Sequence, residues 1–338
     1  MKIKGLNRVI PGGRQIESMG DNLLLYTLDD GMYCNGALLS PTYLEPYLNY
    51  DGGHYLSSSE PSGIYRLDPE SNSIRLCVSR GQRIRLGTSD EWLLLGRYKN
   101  REHTYTLELE GKEIWTKTTS LSQVIQVGPY ALFYQGRGQH EGSCQLIELA
   151  TGAVLWELDH PDAYIKQVYP YEDKVIIVWF WELGSKGTNR VLCVEVPSGK
   201  VLWENDAARE YQKYGDDKLV HFYVHYWEQG NDDEDLYAEL DVHTGEVYTR
   251  RYLGYNANVF VTTIYKDYLF YGAEKHNAYV GAIDLRTHEM LDEVKVDFTL
   301  GDFNQIASIG VHEGQLYVEI QTELDHSDIH VLDLDEDE

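Results

Sequence analysis

The residues best spaced for chemistry are His221 and His225, four apart in an alternating stretch. Side chains along a strand alternate between its two faces, so both imidazoles project the same way and could clip a metal ion. No third ligand stands near them in the sequence, which leaves the ordinary reading of two strand histidines. The run Asp232-Asp233-Glu234-Asp235 offers carboxylates to Ca²⁺ but lacks the spaced D-x-[DN]-x-[DN]-G loop that wraps that ion, and reads as a solvated charge run. Gly136-Arg137-Gly138 is a lone G-x-G, and G-x-S-x-G, G-x-x-x-x-G-K-[ST] and H-E-x-x-H are all absent. With 55 acidic residues, no carboxylate pair can be singled out for acid–base work. The sequence predicts no catalytic residue, no metal site and no cofactor.

Charge says more. Lys and Arg total 29 against 55 Asp and Glu, a formal balance of −26. Such a field repels nucleic-acid phosphates and anionic lipid headgroups and steers basic partners inward. The 27 Tyr against 7 Phe suit strands and contact surfaces alike, because Tyr joins a large apolar face to a polar tip. Cys34, Cys77, Cys144 and Cys193 form no C-x-x-C and no disulfide framework. The first residues lack the apolar core of a secretory signal, and no apolar run is long enough to span a bilayer, so a cytoplasmic location is expected.

The elements that would position any site come from a repeat. A turn or acidic residue followed by an alternating apolar strand occurs eight times: Gly20 to Tyr26, Asp51 to Leu56, Ser89 to Leu95, Gly128 to Tyr134, Glu172 to Ile177, Asp216 to Val220, Lys266 to Tyr271 and Glu313 to Val318. After most copies comes a strand, a tight turn and a further strand, clearest at Leu149 to Trp156 and Val196 to Trp203. Weaker copies occur at Leu109 to Trp115, Leu240 to Tyr248 and Ile283 to Leu291, and Asn35-Gly36 marks a hairpin near the start. The spacing of Gly152, Gly199 and Gly245 suits a four-stranded antiparallel blade, roughly 40–50 residues per repeat. The expectation is an all-β chain, residues 1–338 forming a single β-propeller, with eight blades favoured and seven the alternative. Radial closure protects the sheet edges that isolated sheets would expose. The last repeat ends without a fourth strand, and residues 1–10 are expected to supply it and seal the ring, with 335–338 an acidic tail. Only Asp206 to Tyr214 has a helical pattern.

The turn Thr-Gly-x-Val-Leu-Trp, preceded by an acid, resembles the repeat of PQQ-like (quinoprotein-type) β-propellers, most closely at Thr151 to Trp156 and Ser198 to Trp203. In that family the turn and its Trp are structural and dock neighbouring blades. Quinoprotein dehydrogenases of this fold are longer, exported, and carry a vicinal Cys pair beside the cofactor. No two cysteines are adjacent here. The resemblance thus implies the scaffold without the enzyme.

With blade strands numbered outward from the central channel, the Thr-Gly turns join third to fourth on one face of the disc. Second-to-third loops and inter-blade links lie on the opposite face, which holds the longer segments. There the fifth blade contributes Trp181 and Glu182, and the sixth Tyr226 and Trp227 with Asp232, Asp233, Glu234 and Asp235. Links add Asp159, His160, Asp162, Asp206, Glu210 and Tyr211. Aromatics at strand ends, ringed by acids, would select a basic protein; Trp179, one step inside, reads as blade core. The expected function is protein binding without catalysis, that of a bacterial immunity or antitoxin-type protein occluding a basic toxin. An assembly scaffold and a hydrolase or lyase acting at the channel mouth are the alternatives.

Overall fold

A computed structural model describes residues 1–18, 23–41, 44–50, 53–59, 62–68, 71, 73–79, 83–87, 92–99, 102–109, 112–135, 141–161, 163–181, 190–223, 236–252, 258–274, 278–291, 293–296, 305–323 and 326–335. Among these residues there is no helix, and the strands form eight antiparallel sheets, one for each turn-and-strand repeat. The repeats supply the second strand every time: Leu24–Leu28, Gly53–Ser59, Trp92–Lys99, Tyr130–Tyr134, Lys174–Trp181, Lys218–Tyr223, Tyr268–Glu274 and Gln315–Glu323. We number the sheets one to eight in chain order. In the seventh the outermost strand is broken into Glu289–Met290 and Val294–Lys295, both paired with Ala278–Asp284.

In the fifth sheet the second and third strands carry unbroken apolar runs because a neighbouring sheet covers each face. Val175 to Trp179 are all buried, as are Val191 to Val194. Each core cluster bridges two successive sheets. Val127, Leu132 and Leu146 of the fourth pack with Ile165, Val175 and Ile177 of the fifth. Val178, Val191 and Cys193 pack with Leu219 and Leu240 of the sixth. Ile16, Leu24 and Tyr26 of the first meet Tyr317, Ile329 and Val331 of the eighth, so the sheets come round to a ring. This is a propeller built by radial repetition.

The eighth sheet takes its outermost strand from the other end of the chain. Lys2–Ile10 runs antiparallel to His326–Asp335, with Lys2 opposite Asp335 and Ile10 opposite Ile329. Polar contacts add to the joint: Gly12 N donates to Asp328 Oδ1 at 2.9 Å, and Gln15 N donates to Glu319 Oε2 at 2.9 Å. The acidic tail therefore starts later than expected. Asp335 belongs to the strand and its carboxylate pairs with Lys4 at 2.9 Å, while 336–338 lie outside the described residues.

The helix expected over Asp206 to Tyr214 does not form. Residues 206–211 are an irregular link running into the short strand Gln212–Tyr214. Side chains satisfy its backbone instead of a helical ladder: Asn205 Oδ1 accepts from Ala207 N at 2.9 Å, and Gln167 Oε1 from Tyr211 N at 3.1 Å. The buried Tyr211 ring then fixes the link against the core, and its hydroxyl donates to Ala207 O.

Three tight turns lock one sheet to the next. Indole Nε1 of Trp115 donates to Leu149 O at 2.7 Å, that of Trp156 to Val196 O at 2.6 Å, and that of Trp203 to Val242 O at 3.1 Å. Each ring lies on the turn glycine of the following sheet, Gly152, Gly199 and Gly245 respectively. Between the sixth and seventh sheets the pair changes to Tyr248 stacked on His288, with ring centroids 4.6 Å apart. His288 takes the left-handed φ of 57° that glycine holds elsewhere, and donates its N–H to Asp284 O as Gly199 does to Glu195 O. Its Nε2 meets the buried carboxylate of Glu239 at 3.0 Å, where Lys218 Nζ at 2.7 Å and Tyr237 OH at 2.9 Å converge as well.

Candidate functional site

Strand direction sets the two faces. In the fourth sheet Gln123–Val127 and Tyr130–Tyr134 join through 128–129 on one face, the face of the Thr151-Gly152 turn. The connection from Tyr134 to Glu141 and the link from Val154–Pro161 to Ala163–Pro170 lie on the other. The described members of the expected partner-binding set stand toward this link face. Asp159 and Asp206 are exposed on it, and His160 is half-buried, its ring 5.4 Å from that of Trp179. Trp179 is core, 2 % exposed. Glu210 is exposed and pairs with Lys166. Tyr211 presents no outward surface: its ring is 2 % exposed and packs with Leu219 and Val191. Trp181 ends the strand Lys174–Trp181. Asp162, Glu182, Tyr226, Trp227, Asp232, Asp233, Glu234 and Asp235 lie outside the described residues, as does His225.

Beside the link 206–211 a cavity of about 600 Å³ opens into the central channel. Its wall takes residues from the innermost strands of four successive sheets: Gln167, Gln212, Thr262 and Ser308. In three of those strands the pairing register slips by a residue just there, between Ile165 and Gln167, Val259 and Val261, and Ile306 and Ser308. A bulge leaves one residue unpaired and re-aims its neighbours, which is how buried strands come to present polar groups to the channel. Two of these groups are tied across neighbouring sheets, and Ser308 is held within its own sheet. Gln212 Nε2 donates to Thr262 O and Oγ1, both at 2.8 Å, and Ser308 Oγ donates to Glu319 Oε2 at 2.6 Å.

The remaining wall is made by the link and by second strands: Arg209, Glu210, Tyr211, His221, Phe180 and Phe222. The His221 ring makes a 2.8 Å contact through Nδ1 with Glu210 O, a bond in which the imidazole donates. Burial, helped by the nearby Arg209 charge, pushes the His221 pKa down to about 4, so the ring is neutral at physiological pH. Burial likewise pushes the Tyr211 phenol up to about 12. Among the described residues no group of three His, Cys, Asp or Glu side chains is placed to hold a metal ion. No helix among them is long and apolar enough to cross a membrane.

The sequence pointed to Glu210 and Tyr211 but not to Arg209, Gln167, Gln212, Thr262 or Ser308. Polar residues occur in most first strands, so nothing in the sequence singles these out.

The fold has likenesses among solved structures. The C-terminal WD40 domain of Sif2 superposes over 99% of both chains with a TM-score of 0.58 at 9% sequence identity. The computationally designed Ika8 protein does so over 98% of both chains, with a TM-score of 0.57 at 12% identity. BamB from Moraxella catarrhalis covers 86% of this chain and 96% of its own, with a TM-score of 0.44 at 13% identity. No family model matches the chain, and no curated protein matches it in sequence. Identities this low speak to architecture and not to activity. With the ring of sheets described above, they make the chain a β-propeller.

Proposed function

We propose that this chain is a protein-binding propeller with PQQ-like repeats that works in the cytoplasm as an immunity-type protein, taking a basic toxin or effector onto its link face and occluding it. The observation that carries the reading is charge: a formal balance of −26, with the carboxylates of Asp159 and Asp206 exposed on the face that holds the channel cavity. A surface of that sign accelerates encounter with a basic protein and discriminates against acidic ones. The Trp-on-Gly docks on the opposite face fix one sheet to the next, and a rigid ring lowers the ordering cost of binding. The same docks support the PQQ-like assignment of the repeats.

The test is capture of the partner from the cell that makes the chain, followed by binding kinetics at two salt concentrations. A captured partner with an excess of Lys and Arg is expected. Replacing Asp159, Asp206 and Asp232 to Asp235 by Ser should slow association and flatten its salt dependence, since rim charges act on encounter. Trp227→Ala should instead speed dissociation, costing about 2 kcal/mol if the ring is a desolvated anchor. An acidic partner, or unchanged rates in both variants, would overturn the reading.

A further inference from the structure

The strand that closes the ring, Lys2–Ile10, is held more by its edge than by its side chains. Among its described residues only Ile3 is buried, at 8 % exposed, while Leu6 and Val9 are 47 % and 39 % exposed. Its polar side chains reach carboxylates of the strand beside it. Lys4 Nζ meets Asp335 at 2.9 Å, and Asn7 Nδ2 donates to the two oxygens of Asp333 at 2.7 and 2.8 Å. The strand carries Lys2, Lys4 and Arg8 and no acid, whereas the strand that it covers carries Asp328, Asp333 and Asp335. Residues 11–13 then reverse the chain into Arg14–Ser18 of the first sheet. Gly12 holds a left-handed φ of 69° in that reversal, and Gln15, whose Cβ makes the region costly, holds 57° just after it. A strand with one buried side chain and a reversal of three residues opens before the core strands do.

We propose that the edge of His326–Asp335 is a docking site for the Lys2–Ile10 strand of a second copy, so that two chains close each other's rings by exchanging first strands. The occupant follows from charge and register. An edge bearing Asp328, Asp333 and Asp335 takes a strand with cations and no carboxylate, and a second copy brings that strand with the pairing already fixed, Lys2 opposite Asp335 and Ile10 opposite Ile329. Exchange keeps the contacts of the closed joint and replaces only the reversal at 11–13, which makes it a low-cost route to a dimer. Strand direction permits it. Lys2–Ile10 runs toward the link face and Arg14–Ser18 runs away from it, so a straightened link carries the chain out of one copy's link face and into the other's. Repulsion between two chains of formal charge −26 opposes the dimer at low salt and is screened beyond about 8 Å at 0.15 M. The proposal does not rest on the basic-partner reading, since only this chain's own strands take part.

The experiment mixes two preparations of the full chain, one carrying Asn7→Cys and the other Asp333→Cys, because those side chains touch across the joint. The mixture is held at high protein concentration in urea at about half the unfolding midpoint, where the closing strand opens and the core does not. It is then returned to buffer and treated with a short bismaleimide. A link between residue 7 and residue 333 joins two different chains by design. Peptide mass spectrometry should find that link at least about tenfold more often than in a mixture never exposed to urea, in a species of dimeric mass by light scattering. Deleting Gly12 and Gly13 from the otherwise unaltered chain leaves one residue between the strands, too few for the reversal but enough to run on into a second copy. That variant should be a dimer with the parent circular dichroism spectrum. If it fails to fold, the cross-link with the intact reversal decides the matter. No 7–333 link above the untreated mixture, a dimer without that link, or a folded monomer of the deletion variant would each overturn the proposal.

Discussion

Trp156 of the fourth sheet lies against Gly199 of the fifth so closely that a methyl group on residue 199 would sit 2.6 Å from the indole Cγ. Gly199 also holds a left-handed φ of 70°. Both conditions select glycine, and the ring in turn completes its contact by donating to Val196 O.

Gly199→Ala should therefore destabilise the protein by about 2 kcal/mol, from strain at positive φ and displacement of the indole. Trp156→Phe keeps an aromatic ring and loses the hydrogen bond, for about 1 kcal/mol. Urea unfolding of both variants checks this, and equal stabilities for Gly199→Ala and the parent would contradict the dock.

The Tyr248–His288 joint makes a different forecast. Glu239 is 9 % exposed and receives Lys218, His288 and Tyr237 together, which hold its carboxyl below the usual range against the opposing effect of burial. Glu239→Ala would leave all three without their acceptor and should cost about 3 kcal/mol. Glu239→Gln should cost less, because the amide oxygen still accepts. Denaturant midpoints that rank the two the other way would show that the network is not held through the carboxylate.

Acid stability follows from the buried histidines. His221 is held down to about 4, and His54, His312 and His330 are lowered too, in each case chiefly by burial. The unfolded chain takes up protons near pH 6.5, before the folded one does, so stability is complete above that value and falls as pH drops toward about 4. Thermal melts at neutral pH and near pH 5 should differ accordingly. His221→Gln, which can still donate to Glu210 O, should narrow the difference; an identical acid loss would assign it to other groups.

Ring closure is testable by truncation. Removing residues 1–10 strips the outermost strand from His326–Asp335 and exposes an unpaired edge next to the joint with the first sheet. The melting temperature should fall by more than about 10 °C, and the truncated chain should self-associate in size-exclusion chromatography. Retention of the parent melting temperature would mean that the first strand is not what closes the ring.

Much of the architecture is written locally. The turn-and-strand repeats mark all eight second strands because each depends on residues a few positions apart: an acid or glycine to turn, then alternation to pair. Asn35 and Gly36, with φ of 49° and 84°, make the hairpin that an Asn-Gly pair announces. The docking role of Trp156 and Trp203 was what the resemblance of their Gly turns to PQQ-like repeats implied. The change to Tyr248 and His288 was not, since a histidine in a glycine's conformation is paid for by Glu239, a residue of the neighbouring sheet.

What the sequence determined alone was the strand period, the turns, the repeat and the sign of the charge, all of which are short-range or summed properties. Tertiary structure decided that 206–211 is a link and not a helix, because Gln167 from another sheet holds its backbone. It also decided the cavity. Gln167, Gln212, Thr262 and Ser308 come together only when four sheets are set around one axis, and the bulges that re-aim three of those strands have no signature within them. A pairing register is a relation between two strands, so neither strand's sequence can state it; the ring must form before the channel has walls.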